Sequence, residues 1–306
     1  MASFPVRMLA AAAAIALIGA SEPAPQPESP ETFGLRETPS ERMTVPISIG
    51  GRGPFRFIVD TGSERTVVSR ELAGRLGLAA GLPVRVHSMT EVSRIETAVV
   101  PGLRVGRRTV ARIEAPLLGQ HAIGADGLLG VDSLVSQRVD LDFRTNEMTV
   151  SRSVRRRERW PDDVVIVTAR SRFGHLILVD AALDGERLWV ILDTGAEVSI
   201  ANEALRRRLE RKGRLGETVP LEVMSVTGGR RMIDYGMARR VRIGTAEIAN
   251  LPVGFADVDP FRQLGLLERP AILLGMDALR MFERVSLDFA TREVHLLMPR
   301  RRSSAP

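Results

Sequence analysis

The chain has 306 residues, 44% of them hydrophobic, which is enough for two modest folded domains and excludes disorder of the whole chain. It has no cysteine, so disulfides, thiolate metal sites, a catalytic cysteine and a lipoprotein anchor are excluded. The formal net charge is +6, and because Lys212 is the only lysine, 43 − 1 = 42 of the basic residues are arginines. These arginines are spread through both halves and not gathered on one element, so we expect no nucleic-acid partner.

The N-terminal residues have the order of a secretion signal. Arg7 precedes an apolar run over residues 8–18, and small residues follow at 19–21. The run is much shorter than the ~20 residues of a membrane-spanning helix. The sequence therefore predicts an exported, periplasmic protein with a signal peptide over residues 1–21 and no stable membrane span after cleavage. An uncleaved signal that anchors the chain to the inner membrane is the alternative.

Residues 22–40 carry prolines among acidic side chains, which predicts a flexible linker. Whether residues 22–42 act as a pro-segment stays open.

The rest of the chain contains two copies of one unit. Residues 57–63 read Phe-Ile-Val-Asp-Thr-Gly-Ser, and residues 190–196 read Val-Ile-Leu-Asp-Thr-Gly-Ala, 133 residues later (193 − 60). In each copy a β-branched run leads into a segment with leucines at i and i+4, which predicts a short helix. Ser69 and Asn202 stand at the predicted N-cap positions. The leucines of the two helices are Leu72, Leu76, Leu205 and Leu209.

The two copies also end alike. Residues 127–132, Gly-Leu-Leu-Gly-Val-Asp, match residues 272–277, Ile-Leu-Leu-Gly-Met-Asp, and each is followed by a strand ending Leu-Asp-Phe and a hairpin. The charge run in the joining segment favours a solvated linker over a contact with an anionic membrane. The predicted segments are a first lobe, 41–151, a basic linker, 152–163, a second lobe, 164–299, and a basic tail, 300–306.

At these motifs the chain resembles the retropepsin-like aspartic peptidases, which include the pepsins and the retroviral proteases. The family signature of two apolar residues, Asp-Thr-Gly-Ser/Ala and a downstream apolar-apolar-Gly is present in both halves. The resemblance implies an all-β fold of two tandem small closed barrels, each with a short helix, facing each other across a cleft. It also implies a protein or peptide substrate and a monomer that acts as an intramolecular pseudo-dimer.

The candidate catalytic residues are one aspartate from each copy, Asp60 and Asp193. Two carboxyls held about 3 Å apart cannot both ionise cheaply, so they share a proton and can serve as base and acid together. This chemistry needs no cofactor and no metal, and the four histidines lack a zinc-binding spacing. The residues expected to support the dyad are Thr61, Gly62, Ser63, Thr194, Gly195 and Ala196.

The supporting residues have separate expected roles. The glycine after each Asp-Thr is expected to permit a tight turn, and the resemblance implies that the threonines hydrogen-bond across the lobe interface. Ser63 is expected to donate a hydroxyl hydrogen bond toward the dyad, which Ala196 cannot do. The tip of the substrate flap is expected at Thr227, Gly228 and Gly229. Residues 87–93, the equivalent of the flap in the first lobe, have no glycine, so which flap closes stays open.

Other aspartates have structural interpretations. Asp132 and Asp277 are expected to be helix N-caps, and Asp142 and Asp288 are expected to be turn residues. Two functions remain: an aspartic endopeptidase that acts on exported or envelope proteins, and a non-catalytic peptide-binding pseudopeptidase of the same fold. The intact Asp-Thr-Gly in both copies favours the endopeptidase.

Overall fold

The structure is a computed structural model that describes residues 31–34, 36–37, 43–87, 92–106, 108–153, 163–224 and 229–299. The expected signal peptide and tail lie outside these residues, as do residues 154–162 of the joining segment. Within the described ranges, none of the helices combines the length and the apolar character that crossing a membrane requires.

Short strands dominate both halves of the chain, as expected for an all-β fold. The first half contains, in chain order, β1 (Glu31–Gly34), β2 (Arg36–Glu37), β3 (Met43–Ile49), β4 (Arg52–Val59), β5 (Val67–Ser69), α1 (Arg70–Leu76), β6 (Val84–His87), β7 (Val92–Ile95), β8 (Thr97–Val105), β9 (Arg108–Leu118), α2 (Gln120–Ile123), β10 (Gly127–Leu129), α3 (Val131–Leu134), β11 (Gln137–Asp142) and β12 (Glu147–Arg152).

The second half repeats this pattern. Its elements are β13 (Val164–Thr168), β14 (Arg170–Arg172), β15 (His175–Leu178), β16 (Ala181–Leu183), β17 (Glu186–Arg187), β18 (Trp189–Leu192), β19 (Ile200–Ala201), α4 (Glu203–Arg211), β20 (Thr218–Met224), β21 (Arg230–Ile243), β22 (Ala246–Phe255), α5 (Asp259–Gln263), β23 (Ala271–Leu274), α6 (Met276–Leu279), β24 (Arg284–Asp288) and β25 (Glu293–Leu297).

Each half closes into a small barrel. In the first lobe the strands run β3-β4-β10-β5-β9-β8, and β8 pairs back onto β3. In the second lobe they run β15-β18-β23-β19-β22-β21-β16, and the chain passes directly from β15 into β16. In both lobes the Leu-Leu-Gly strand, β10 or β23, runs parallel to the strand before Asp-Thr-Gly and antiparallel to the strand after it. The expected fold of two tandem barrels is therefore confirmed.

The helix that follows each Asp-Thr-Gly turn begins where the sequence predicts. The Ser69 hydroxyl accepts a hydrogen bond from the Leu72 backbone N–H at 3.0 Å, and Asn202 Oδ1 accepts one from the Leu205 N–H at 3.0 Å. Such caps satisfy N–H groups that have no partner inside the helix. The leucines pack into the barrel cores, Leu76 partly and the other three fully: Leu72, Leu205 and Leu209.

The last hairpin of each copy leaves its own barrel and enters a shared sheet. Six strands lie in the order β1-β12-β11-β24-β25-β13, and the lobes meet where β11 pairs antiparallel with β24. The buried pairs Val139–Leu287 and Leu141–Val285 lie at this seam. Because backbone hydrogen bonds and core side chains cross the seam, the two lobes are held in a fixed relation.

The expectation of a linker over residues 22–40 is wrong for part of that range. Glu31–Gly34 forms β1, which pairs with β12, and Arg36–Glu37 forms β2, which pairs with β3. An open sheet edge carries unpaired N–H and C=O groups that can pair with any adjacent extended segment, and prolines outside the pairing do not prevent this.

The turn aspartates behave as expected. Asp142 and Asp288 each accept two hydrogen bonds, from the backbone N–H groups two and three residues later, at 2.9 to 3.0 Å. Both are thus confirmed as turn residues that close the hairpins of the shared sheet.

Candidate active site

The two recurring motifs of each lobe form one structural unit. The Asp60 backbone N–H donates to the Leu129 carbonyl at 3.0 Å, and the Asp193 N–H donates to the Leu274 carbonyl at 2.9 Å. Leu129 and Leu274 are the last residues of the Leu-Leu-Gly strands, so these strands fix the backbone position of each aspartate at the end of the sheet. The buried last three residues of strands β4 and β18 lead directly to the two aspartates.

The threonines interlock across the interface, as the resemblance implies. The Thr61 N–H donates to Thr194 Oγ1 and the Thr194 N–H donates to Thr61 Oγ1, both at 3.1 Å. Each hydroxyl in turn donates to a carbonyl of the opposite lobe at 2.7 Å, from Thr61 to Leu192 and from Thr194 to Val59. All these groups are buried, so the two Asp-Thr-Gly turns are held together by hydrogen bonds away from competing water.

The two glycines lie in tight turns as expected, and space is what requires glycine there. Neither Gly62 nor Gly195 has a positive φ, so a left-handed turn is not what requires glycine. A Cβ built on Gly62 would overlap the Asp193 carboxylate, and a Cβ on Gly195 would overlap the Asp60 carboxylate. Glycine is therefore needed for space, because each turn packs its bare Cα against the carboxyl group of the other lobe.

The two carboxyls lie at the interlocked turns, each against the glycine Cα of the other lobe, and backbone donors support them. The Gly62 N–H donates to Asp60 Oδ1 at 3.0 Å, while the N–H groups of Gly195 and Ala196 donate to Asp193 Oδ1 at 2.9 and 3.1 Å. Only 8% of Asp60 is exposed, and Asp193 keeps some exposed surface.

Burial raises the pKa of Asp193 above its ordinary value of 3.8. The Gly195 N–H, the charge of His175, the Ala196 N–H and the Asp60 side chain each lower this pKa without overcoming the burial. A carboxyl of raised pKa beside a second carboxyl holds a proton between the two groups in conditions where an ordinary aspartate has lost its own.

Ser63 does not make the hydrogen bond that was expected of it. Its hydroxyl donates to the Arg65 carbonyl at 2.8 Å, within its own turn. In the second lobe the Ala196 backbone N–H contributes the hydrogen bond to its carboxylate. The difference between serine and alanine at this position therefore concerns the local turn and not a donor to the dyad.

Asp132 and Asp277 are not the N-caps that the sequence predicts, since Gly130 and Gly275 occupy the cap positions. Asp132 instead accepts hydrogen bonds from the Thr66 N–H at 3.0 Å and hydroxyl at 2.7 Å. The second lobe repeats the contact between Asp277 and Ser199, at 2.9 and 2.7 Å.

These carboxylates fix the chain just after each Asp-Thr-Gly turn. Sequence reasoning missed Thr66 and Ser199, although the repeat spacing that pairs Asp60 with Asp193 pairs them too (199 − 66 = 133).

Sequence reasoning also missed His175, at the start of β15. It is only 4% exposed, and its Nδ1 lies 3.0 Å from the Thr61 carbonyl oxygen of the other lobe. A histidine that is not part of a metal-binding motif receives no role from the spacing of histidines in the sequence. Its partner lies 114 residues earlier in the chain, which no local pattern reveals.

Hairpins stand where the flaps were expected. In the second lobe β20 and β21 pair from Thr218–Gly236 to Met224–Arg230. Val223 and Ile233 of this hairpin pack into a buried cluster with Phe261 of α5. Of the expected tip, Gly229 is described, while Thr227 and Gly228 lie outside the described residues. In the first lobe the shorter strands β6 and β7 form the corresponding pair.

No group of three or more His, Asp or Glu side chains within the described ranges is placed to hold a metal ion.

Two barrels that meet at paired Asp-Thr-Gly turns are the architecture of the two-lobed retropepsin-like proteins. A family model for aspartyl proteases matches the chain twice, over residues 45–133 and 179–278, which together are more than half of its length. Each match falls on one lobe and includes its Asp-Thr-Gly turn. The chain belongs to the retropepsin-like aspartyl protease family. A comparison with curated proteins gave no match.

Proposed function

We propose that this chain is an aspartic endopeptidase that hydrolyses peptide bonds within extended polypeptides, with Asp60 and Asp193 as its catalytic dyad. The observation that carries the proposal is the interlock of the two Asp-Thr-Gly turns, which places the carboxyl of each turn against the glycine Cα of the other. Burying two carboxyl groups costs desolvation free energy. The rival function, a non-catalytic peptide-binding pseudopeptidase, does not require that cost.

The chemistry follows from the shared proton. The ionised carboxyl takes a proton from a water molecule, and the water oxygen forms a bond to the peptide carbonyl carbon. The protonated carboxyl gives its proton to the carbonyl oxygen, which produces a neutral tetrahedral diol. The protonated carboxyl of the dyad then gives its proton to the amide nitrogen while the ionised carboxyl takes a proton from one diol hydroxyl. The C–N bond breaks, a carboxylic acid and an amine leave, and one proton is again on the dyad.

The chain's own groups support these steps. The N–H groups of Gly62, Gly195 and Ala196 stabilise whichever carboxyl is ionised. Burial, which raises the pKa of Asp193, keeps one proton on the pair. The interlocked threonines hold both carboxyls in place, so little reorganisation is needed during the reaction.

Single substitutions of the dyad test the proposal. Asp60→Asn and Asp193→Asn should each lower kcat/KM by about 10³-fold or more, and the double variant should lose no more than either one, because the carboxyls act as a unit. The probe is a peptide library from a proteome digest, with cleavage followed by mass spectrometry. Asp142→Asn, in a turn outside the site, is the matched control and should keep parental activity. Parental turnover in either dyad variant would contradict the proposal.

We further propose that the protein acts in the cell envelope as an exported monomer, without a metal or another cofactor. One chain supplies both aspartates, so specific activity should not depend on protein concentration. A chelator should leave the rate unchanged. Fractionation of cells and N-terminal sequencing of the mature protein test the export. Activity that rises with protein concentration would show that a second chain completes the site.

A further inference from the structure

One buried histidine of the second lobe contacts the catalytic turn of the first lobe. His175 Nδ1 lies 3.0 Å from the Thr61 carbonyl oxygen, and the ring is almost fully buried. A carbonyl oxygen can only accept a hydrogen bond, so Nδ1 carries the proton and donates it. Thr61 follows Asp60 directly, and this contact therefore acts on the backbone that carries a dyad carboxyl.

The second lobe holds His175 rigidly. Strand β15 pairs with β14 on one side and with β18, the strand that leads to Asp193, on the other. The residue before it, Gly174, has φ +87°, and a Cβ there would come within 2.7 Å of Val131 Cγ2 in the first lobe. The β14–β15 turn thus lies directly against the first lobe and presents the imidazole to the interface.

A positive charge on His175 lowers the pKa of Asp193, so the ring can also act on the dyad electrostatically. The other charged groups on the elements around it are Asp60, Glu64, Arg65, Asp132, Arg170, Arg172 and Glu197. Asp60 belongs to the dyad itself, and Asp132 is bound by Thr66. Arg170 stacks on Trp189, and Arg172 donates to the Leu264 carbonyl.

We propose that His175 is a positioning residue for the hydrolysis: from across the lobe interface its Nδ1–H holds the Asp60 turn through the Thr61 carbonyl, and its ring acts on the protonation of the dyad. The proposal rests on the proposed catalytic role of Asp60 and Asp193. No step of the reaction passes a proton through His175.

Two substitutions separate the hydrogen bond from the charge. In His175→Asn the amide NH₂ lies near the place of Nδ1 and can still donate to the Thr61 carbonyl, but the side chain cannot become charged. In His175→Leu a side chain of similar size has neither the donor nor the charge. The measurement is kcat and KM against pH on the library peptide that the parent cleaves best, with a thermal melt of each variant.

The expected results differ between the variants. Without the positive charge the ionised dyad is less favoured, so its lower apparent pKa rises and the acid limb moves toward neutral pH in both variants. A shift of about half a pH unit or more is expected. At the plateau His175→Asn should keep kcat within a few-fold of the parent. His175→Leu should lose about 10- to 100-fold in kcat with KM little changed, because the Asp60 turn is no longer held.

Three outcomes would overturn the proposal. One is an acid limb that stays in place in both variants, and another is a plateau kcat for His175→Leu equal to that of His175→Asn. The third is that the His175 variants melt at a lower temperature and contain less active protein while the acid limb of kcat/KM against pH does not move. His175 would then have a purely structural role. Asp60→Asn, measured in parallel, separates the two proposals: if it is inactive while both His175 variants behave as the parent, the dyad stands and only the role of His175 falls.

Discussion

The Cα of Gly62 packs directly against the carboxyl group of Asp193, although the two residues lie in different lobes. The opposite contact, between Gly195 and the carboxyl of Asp60, completes a two-fold arrangement. The carboxyls can meet only because neither turn carries a side chain at this position. The glycine of Asp-Thr-Gly thus controls the distance between the lobes at the site.

Gly62→Ala and Gly195→Ala should therefore lose activity while the fold survives. The new methyl group overlaps a carboxyl, and displacement of that carboxyl by about 1 Å is expected to cost about 10²-fold in kcat. Gly74→Ala is the matched control, because Gly74 lies on helix α1 with open space around its Cα and should tolerate or gain from alanine. Parental kcat/KM in the Gly62 variant would show that the turns can separate without harm.

The interlocked threonines should contribute mainly to stability. Thr194→Val keeps the shape but removes the hydroxyl that donates to the Val59 carbonyl and accepts from the Thr61 N–H. Two buried backbone groups lose their partner, so the free energy of unfolding measured in urea should fall by about 2 kcal/mol or more. Thr194→Ser should retain most of the stability. Thr145→Val, in an exposed turn, should change it by no more than about 0.5 kcal/mol. Equal stability of the valine and serine variants would contradict this role.

The repeat allowed much of the molecule to be predicted, because it carries information at long range. Two copies of one pattern predict two similar lobes, and the paired Asp-Thr-Gly predicts that Asp60 and Asp193 meet. The caps at Ser69 and Asn202 follow from local chemistry and were predicted for that reason. The pattern does not show which strands pair with each other when the pairing depends on tertiary packing. Alternation marks β11 and β24 as strands without showing that they pair with each other.

The direction in which a side chain points could not be predicted from the sequence either. Nothing local distinguishes a Ser63 hydroxyl that reaches the dyad from one that donates to the Arg65 carbonyl. His175 shows the same limit, because its partner Thr61 lies in the other lobe. Its role depends on the relative placement of two barrels that the shared six-stranded sheet holds together.

The dyad should cost the protein stability at neutral pH. The folded-state pKa of Asp193 is raised, so its ionised form is less favourable in the folded chain than in the unfolded chain. No cost exists below the unfolded value near 3.8, where both states are protonated, and the full cost is present above the folded value. Asp193→Asn removes the titration while its Oδ1 can still accept the two backbone hydrogen bonds. Its melting temperature should therefore exceed the parent's by a margin that grows as pH rises from 4 toward neutral. A constant or shrinking margin would contradict the raised pKa.

The last prediction concerns the position at which the two catalytic turns differ, Ser63 and Ala196. The Ser63 hydroxyl donates to the Arg65 carbonyl at 2.8 Å, so its removal takes no donor from the dyad. Ser63→Ala should leave the acid limb of kcat/KM against pH where it is in the parent, with a loss of stability of about 1 kcal/mol at most. Ala196→Ser should behave alike, because the repeat places the Val198 carbonyl where the Arg65 carbonyl stands in the first lobe (198 − 65 = 133). An acid limb that moved toward neutral pH in Ser63→Ala would show that the hydroxyl turns toward the carboxyls when substrate is bound, and the donor set of the dyad would then include it.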